Sequence, residues 1–362
     1  MSEASEICAV VGDLGGAAEV VPAMKELGKR GHAISYFLDA SPKAKAGSVL
    51  DAAGVKYEKS GVFEGKFPKV IVIGTSATAY EAQAEWTKFG LKTKTPVIWV
   101  EDLYGTGERK HLHSVSPDAM CVIDAIAESI AKNVRPELRT YITGKPSFEK
   151  LPQLIARKAE IRKTVRATLN VGENDFFVPW LFGGDPPERS WTQLRKFAEE
   201  GGVDFIRDVG IALGLRFHPK HPEFEKQMQF VGSLGINAID TRPIKDAKEL
   251  MLAADMVFAD WGNTDAVTSL LARVPVATLL FPDDTQRLLD GGYPKGVPPL
   301  LLNYENWGMK SVDDMLKVLE DTNGDGAEAA QEETAKRAKN FQQLLVPGAA
   351  SRIADVVESY LH

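Results

Sequence analysis

The chain has 362 residues, which at roughly 150 per domain predicts two domains. Hydrophobic residues make up 44% and charged residues 26%, values that exclude a disordered, collagen-like or coiled-coil chain. The net charge of −7 excludes a global attraction to nucleic acid or to an anionic membrane.

Two cysteines, Cys8 and Cys121, cannot make a disulfide framework or a zinc cage. Each sits beside an apolar run, ICAVV or MCVID, and reads as a buried reduced thiol. The N-terminal MSEASEICAVV carries acidic residues where a signal peptide needs basic ones. No run approaches the roughly 18 apolar residues that span a bilayer. These features predict a soluble protein of a reducing cytoplasm, with no transmembrane segment and no nucleic-acid partner.

Along the chain, strand and helix patterns alternate. Ile7–Val11 is a short apolar, β-branched run, followed by the glycine-rich GDLGG and a helical stretch over 18–30. Gly31 ends that helix and HAISYFLD reads as the next strand. Val70–Gly74, a helix over 77–89 and a strand over 96–100 continue the pattern. Buried runs alternating with amphipathic helices predict a parallel sheet covered on both faces. The second half repeats the style. FFVPWLFGG (176–184) reads as a strand running into a glycine turn, and a helix over 190–200 follows. GLRFHP, ADMVFAD and PVATLLFP read as further strands. The expected division is 1–148, a linker helix over 149–174, a second domain over 175–345, and a C-terminal helix over 346–362 packing back on the first domain.

The first glycine loop, Gly12 to Gly16, follows a strand and opens a helix, a place where backbone N–H groups can approach an anion. Its spacing is not G-x-G-x-x-G. Asp39, ending the second strand, keeps a dinucleotide reading open beside that of a tight turn. His111 and His113 form an H-x-H pair without a third spaced ligand, so no metal is expected.

GDLGGAAEVVPAMKELGKRGHAISYF resembles the opening of GT-B sugar-nucleotide enzymes, where a glycine-rich loop leads to a P-A-x-x-x-x-L-x-x-x-G-H-x-V element. TYITGKP is similar to the V-T-G-N-P that closes their first domain, and FFVPWLFGG to the strand and loop that open the second. LRFHPKHP resembles their H-P segment, and AADMVFADWGNTDAVTSLLARVPVATL their A-D-x-x-I-x-D-x-G element. The resemblance spans both halves. It implies an α/β protein of GT-B architecture, two Rossmann-like doubly wound domains facing across a cleft.

That resemblance implies a nucleotide sugar as substrate, a UDP-sugar above others, with no separate cofactor. The diphosphate would meet Gly183 and Gly184 and the turn Trp261, Gly262, Asn263 and Thr264, with Asp265 toward a ribose hydroxyl. Asn263 or Thr264 as a helix cap is the competing reading. Where the resembled families carry Glu in the following helix, this chain has Ala266, Val267 and Thr268. Arg216, His218 and Lys220 would offer positive or donor groups at a strand's end, and Asp284 joins the expected binding set. Gly15, Gly16 and Asp102 are the first-domain binding candidates.

Two carboxylates are the catalytic candidates. Glu19 stands where resembled transferases place the base for the acceptor hydroxyl. Glu101 resembles the glutamate of H-V-E-A-G-L-R in non-hydrolysing UDP-N-acetylglucosamine 2-epimerases. The epimerases' G-D-T and L-H-R-R-E-N segments have no counterpart here, where Gly74-Thr75-Ser76 and Gly183-Gly184-Asp185-Pro186 stand. The expected activity is therefore glycosyl transfer to an acceptor hydroxyl of a glycan, lipid or small molecule. The alternatives are a 2-epimerase, a CDP-glycerol-type transferase or a GT-B binding subunit without activity; a homodimer fits any of them.

Overall fold

The computed structural model describes residues 6–39, 45–59, 67–75, 80–108, 112, 114–183, 187–218, 223–261, 263, 266–281 and 283–361. They form two compact units. The first comprises Met1–Glu149, Gln286–Gly296 and Gln343–His362, and the second Lys150–Thr285 and Val297–Gln342.

The first unit holds a seven-stranded parallel sheet of β1 (Ile7–Val11), β2 (Ile34–Leu38), β3 (Tyr57–Lys59), β4 (Val70–Gly74), β5 (Val97–Val100), β6 (Ala119–Val122) and β7 (Thr140–Ile142). Its spatial order is β3-β2-β1-β4-β5-β6-β7. Every residue of β1, β4, β5 and β6 is buried, which is why these strands read as unbroken apolar runs rather than alternating ones. Register is set along β1, where Ile7 faces Ile34 on one side and Val70 on the other.

The second unit holds β8 (Phe176–Leu181), β9 (Ile211–Arg216), β10 (Ile239–Asp240), β11 (Val257–Asp260), β12 (Val276–Leu279) and β13 (Gly308–Met309), in the order β10-β9-β8-β11-β12-β13 and all parallel. Both sheets share one doubly wound scheme. In each, the strand order reverses at one point, between β1 and β4 or between β8 and β11. Ligands of such sheets bind outside the strands' carboxyl ends at that reversal.

The first helix starts earlier than the periodicity suggests, at Leu14 rather than 18, and runs to Lys29. Asp13 supplies the reason. Its backbone is extended and its Oδ1 accepts from Gly16 N at 3.0 Å, so it caps a helix whose first turn contains two glycines. The helix buries Val20, Met24 and Leu27 among β-strand residues and Ile353 and Val357. Those last two belong to the helix Ala349–Glu358.

Residues 286–296 lie between two stretches of the second unit in sequence, and the sequence reading placed them there. In the structure they belong to the first unit. Tyr293 is buried, and its hydroxyl donates to Tyr104 O. Asn133 Nδ2 donates to Gly292 O at 2.8 Å. The basic stretch after Lys150 forms helices Leu151–Ala156 and Lys158–Thr168. Three of its cations bond within the second unit, to backbone carbonyls and to Asp255. Lys158 donates to Ala272 O, Arg162 to Ala253 O, and Arg162 and Arg166 both reach Asp255.

Cys8 and Cys121 are both buried and free, and burial pushes the Cys121 thiol up to about 12. Among the described residues no helix is long and apolar enough to cross a membrane.

The helix Ala349–Glu358 is tied down by charge as well as by packing. Arg30 reaches Asp355 and Glu358, each at 2.7 Å, and Ser351. His32 Nε2 lies 2.8 Å from Glu358 Oε1, and its Nδ1 lies 3.3 Å from Glu6. The bond to Glu358 foremost, then the one to Glu6, raises the His32 pKa above its ordinary 6.5. The stabilisation is therefore complete below that ordinary value and fades as pH rises through the higher folded one. His32→Ala should cost more stability at pH 6 than at pH 9, measured by urea denaturation of both proteins. A pH-independent difference would show that the imidazolium does not hold this helix.

Candidate active site

At the carboxyl edge of the first sheet, the backbone itself comes close. A Cβ on Gly16 would lie 2.7 Å from Thr75 O, and one on Gly74 would lie 2.7 Å from Gly16 O. Real side chains do not tolerate such approaches to backbone. The first glycine loop thus lets the helix N-terminus sit directly on the end of β4. Gly15 faces Asp102, whose Oδ2 would be 2.5 Å from a Cβ there.

Asp102 follows β5 and is 2% exposed. Thr75 Oγ1 donates to its Oδ1 at 2.7 Å and accepts from its backbone N–H at 3.0 Å. Leu103 N donates to the same oxygen at 2.8 Å, and Thr106 Oγ1 lies 2.9 Å from it. Thr75, which stands where the epimerases carry an acid, here orients one. Burial, reinforced by the Asp13 carboxylate, raises the Asp102 pKa to about 6 against the opposing pull of Lys145.

Glu19 was expected to be the base. The structure gives it another task. It is 0% exposed, its Oε1 meets Lys145 Nζ at 2.7 Å, and its Oε2 accepts from Ser147 N at 3.0 Å. Lys145 Nζ also donates to Asp102 O at 2.5 Å. With one oxygen in a buried ion pair and the other on a backbone N–H, Glu19 fastens the segment after β7 to the first helix. Glu101 is also committed. Its Oε1 accepts from Gly105 N at 2.9 Å and its Oε2 from Ile123 N at 3.3 Å. It shapes the loop after β5, which Tyr104 pins by donating to Asp124 Oδ2 at 2.6 Å.

In the second unit, the reversal point is closed by one short bond. Gly183 N donates to Asp260 Oδ2 at 2.5 Å, joining the ends of β8 and β11. Asn263 N donates to Asp260 O at 3.0 Å, and Ala266 N to Asn263 O at 3.1 Å. Under that edge the rings of Phe182 and Phe217 stack at 4.8 Å, and those of Trp180 and Phe182 at 5.2 Å. This ladder fixes Gly183 and His218, each of which directly follows one of its rings. His218 is half-buried at the end of β9, and Trp261 is half-buried beyond β11.

Two expected binding residues face elsewhere. The Arg216 guanidinium donates to Ile244 O at 2.6 Å, Lys245 O at 2.9 Å and Thr241 O at 3.3 Å, and burial lowers its pKa. It holds the loop after β10. Asp284 is buried and accepts from Phe281 N at 2.6 Å and Arg189 at 2.9 Å. Arg189 lies 3.8 Å over the Phe281 ring. Asp284 thereby caps its own turn and anchors Arg189. Gly184, Lys220, Gly262, Thr264 and Asp265, as well as His111 and His113, lie outside the described residues. Among the described residues no group of three or more His, Cys, Asp or Glu could hold a metal ion.

The sequence reading missed Lys145, Thr106 and Arg189 as parts of these clusters. Lys145 had a signal. It sits in TYITGKP, directly after a strand and a glycine, where a cation would face the same sheet edge as Glu19 and Asp102.

No protein-family model matches the sequence, and neither does any curated protein. Solved structures do match, over nearly the whole chain. The HepE protein of Anabaena in complex with UDP-glucose has a TM-score of 0.62 at 13% identity, covering 98% of this chain and 99% of that one. The MnaA protein of S. aureus with UDP gives 0.61 at 12%, covering 99% and 97%. MurG of Acinetobacter baumannii gives 0.55 at 11%, covering 98% and 100%. The fold is GT-B.

Breaking the buried pair leaves one charge uncompensated. Lys145→Met should therefore cost about 3–5 kcal/mol in urea unfolding, and adding Glu19→Leu should recover at least half of it. A double variant as unstable as Lys145→Met alone would refute the ion-pair account.

Proposed function

We propose that the protein is a glycosyltransferase that moves a sugar from a nucleoside-diphosphate sugar to an acceptor hydroxyl, with a UDP-sugar as the foremost donor. The observation that carries this reading is the second unit's edge at the strand reversal. There Asp260 Oδ2 accepts from Gly183 N, and Asp260 O from Asn263 N. Helix N-termini and backbone N–H groups at such an edge bind diphosphate. The reading draws support from the UDP-glucose complex of HepE and the UDP complex of MnaA.

On this reading the nucleotide lies on the second unit, with His218, Trp261 and Asn263 beside it. Donor groups aimed at the departing diphosphate stabilise the charge that develops there. Arg216 and Asp284 act behind the site, holding the loops that present it. Thr75 in place of an acid argues for transfer over epimerisation, because inverting a sugar carbon needs a base on one face of the ring to remove the proton and an acid on the other to return it.

A thermal-shift screen against UDP-, GDP-, CDP- and dTDP-glucose tests the donor class. A bound nucleotide stabilises by about 2.7 kcal/mol at a hundred times its dissociation constant. No shift with any of the four would overturn the proposal. His218→Ala should weaken UDP binding about ten- to a hundred-fold by calorimetry, the scale of a charge-assisted contact, and should leave the unfolding temperature of the free protein unchanged. Protein incubated with UDP-N-acetylglucosamine alone should give no manno epimer by NMR; its appearance would replace transfer with epimerisation.

A further inference from the structure

We infer that the first unit carries a second, separate binding pocket at the amino end of its sheet, and that the pocket takes an uncharged disaccharide. The inference goes beyond the transferase reading and does not rest on it. The pocket is a cavity of about 480 Å³, within the roughly 300–1,000 Å³ of small-molecule sites. Asp118 lines it just before β6, Glu137 and Arg139 just before β7, and Tyr360 just beyond the helix Ala349–Glu358. All of these belong to the first unit. The strands are parallel, so the pocket lies a strand's length from the edge that holds Thr75 and Asp102.

The walls are held by bonds of their own. Arg135 donates to Gly107 O at 2.6 Å, Leu112 O at 2.9 Å and Val115 O at 3.3 Å, and its guanidinium lies 5.3 Å from the centre of the Trp99 ring. Lys132 Nζ donates to Leu138 O, and Leu138 N to Arg135 O at 3.0 Å. Asp118 Oδ2 accepts from Val97 N at 2.8 Å. The Tyr360 hydroxyl accepts from Arg139 Nη1 at 3.2 Å. A pocket fixed in this way needs little ordering when a ligand arrives, which favours binding.

The chemistry of the lining selects the ligand. Glu137 and Arg139 are exposed, and among the described residues neither has an ion-pair partner. They face one cavity without meeting each other. Asp118 commits only one carboxylate oxygen. A guanidinium can only donate hydrogen bonds, and a carboxylate can only accept them. A ligand that spans these groups must therefore both accept and donate. Two carboxylates, Asp118 and Glu137, oppose a nucleoside diphosphate or any other anion, and Arg135 and Arg139 oppose a cation. A hydroxyl group accepts and donates through one oxygen and carries no charge. A ring bearing several of them is a sugar. Its C–H faces find apolar surface on Leu138, Pro117 and the Tyr360 ring.

The test uses the full chain without nucleotide. Cellobiose, maltose, lactose and N,N′-diacetylchitobiose are titrated by saturation-transfer NMR, with glycylglycine and inorganic phosphate as charged probes. At least one disaccharide should bind, and neither charged probe should displace it. Glu137→Ala and Arg139→Ala should each weaken that binding about tenfold, the scale of one hydrogen bond to a charged group. Both side chains are exposed, so the unfolding temperature should stay the same. Binding of none of the four disaccharides, or binding that either substitution leaves undiminished, overturns the inference. Displacement by glycylglycine would make this a site for zwitterions, and displacement by phosphate a site for anions; either result overturns it too.

Discussion

The ammonium group of Lys145 is the point on which the first unit's edge depends. One buried cation meets the first helix through Glu19 and the loop after β5 through the Asp102 carbonyl. The same segment donates its Ser147 N–H to Glu19. Three chain segments far apart in sequence are thus joined in a water-poor place, where an unmatched charge would be expensive. Such a junction contributes little net stability over an apolar one. It contributes position, because a charge pair with extra hydrogen bonds has few alternative arrangements.

The second unit reaches a comparable end by different means. Its edge is fixed by a backbone-to-carboxylate bond between Gly183 and Asp260 and by stacked rings beneath. Arg216 and Arg189 are drawn into the scaffold, one onto three carbonyls and the other onto two aspartates and a phenyl face. The cations that a composition-minded reader would assign to phosphate instead support the loops.

Much of the fold was legible because it follows from local rules. Fully buried strands wrote themselves as apolar runs, and glycines marked the strand-to-helix turns. The doubly wound order could be expected twice over from the alternation alone. The site was less legible, since sequence position says which end of a strand a residue occupies but not which way its side chain turns. Glu19 and Glu101 were chosen for their place, and both prove to bond backbone N–H groups or a buried lysine. Asp102, one residue further along, is bound instead through Oδ1 by Thr75, Thr106 and Leu103 N. The role of Lys145 depends on partners 126 and 43 residues away, beyond any pattern in the chain.

The shared membership of the first unit bears on how the chain is made. Its sheet is complete by residue 142, yet the unit also includes 286–296 and 343–362. Val20 and Leu27 share a core with Ile353 and Val357, which a ribosome adds only after all of the second unit. During synthesis the nascent first sheet must therefore wait with part of its apolar face uncovered, while the second unit emerges and folds. Chaperones that shield apolar surface would be most needed in that interval.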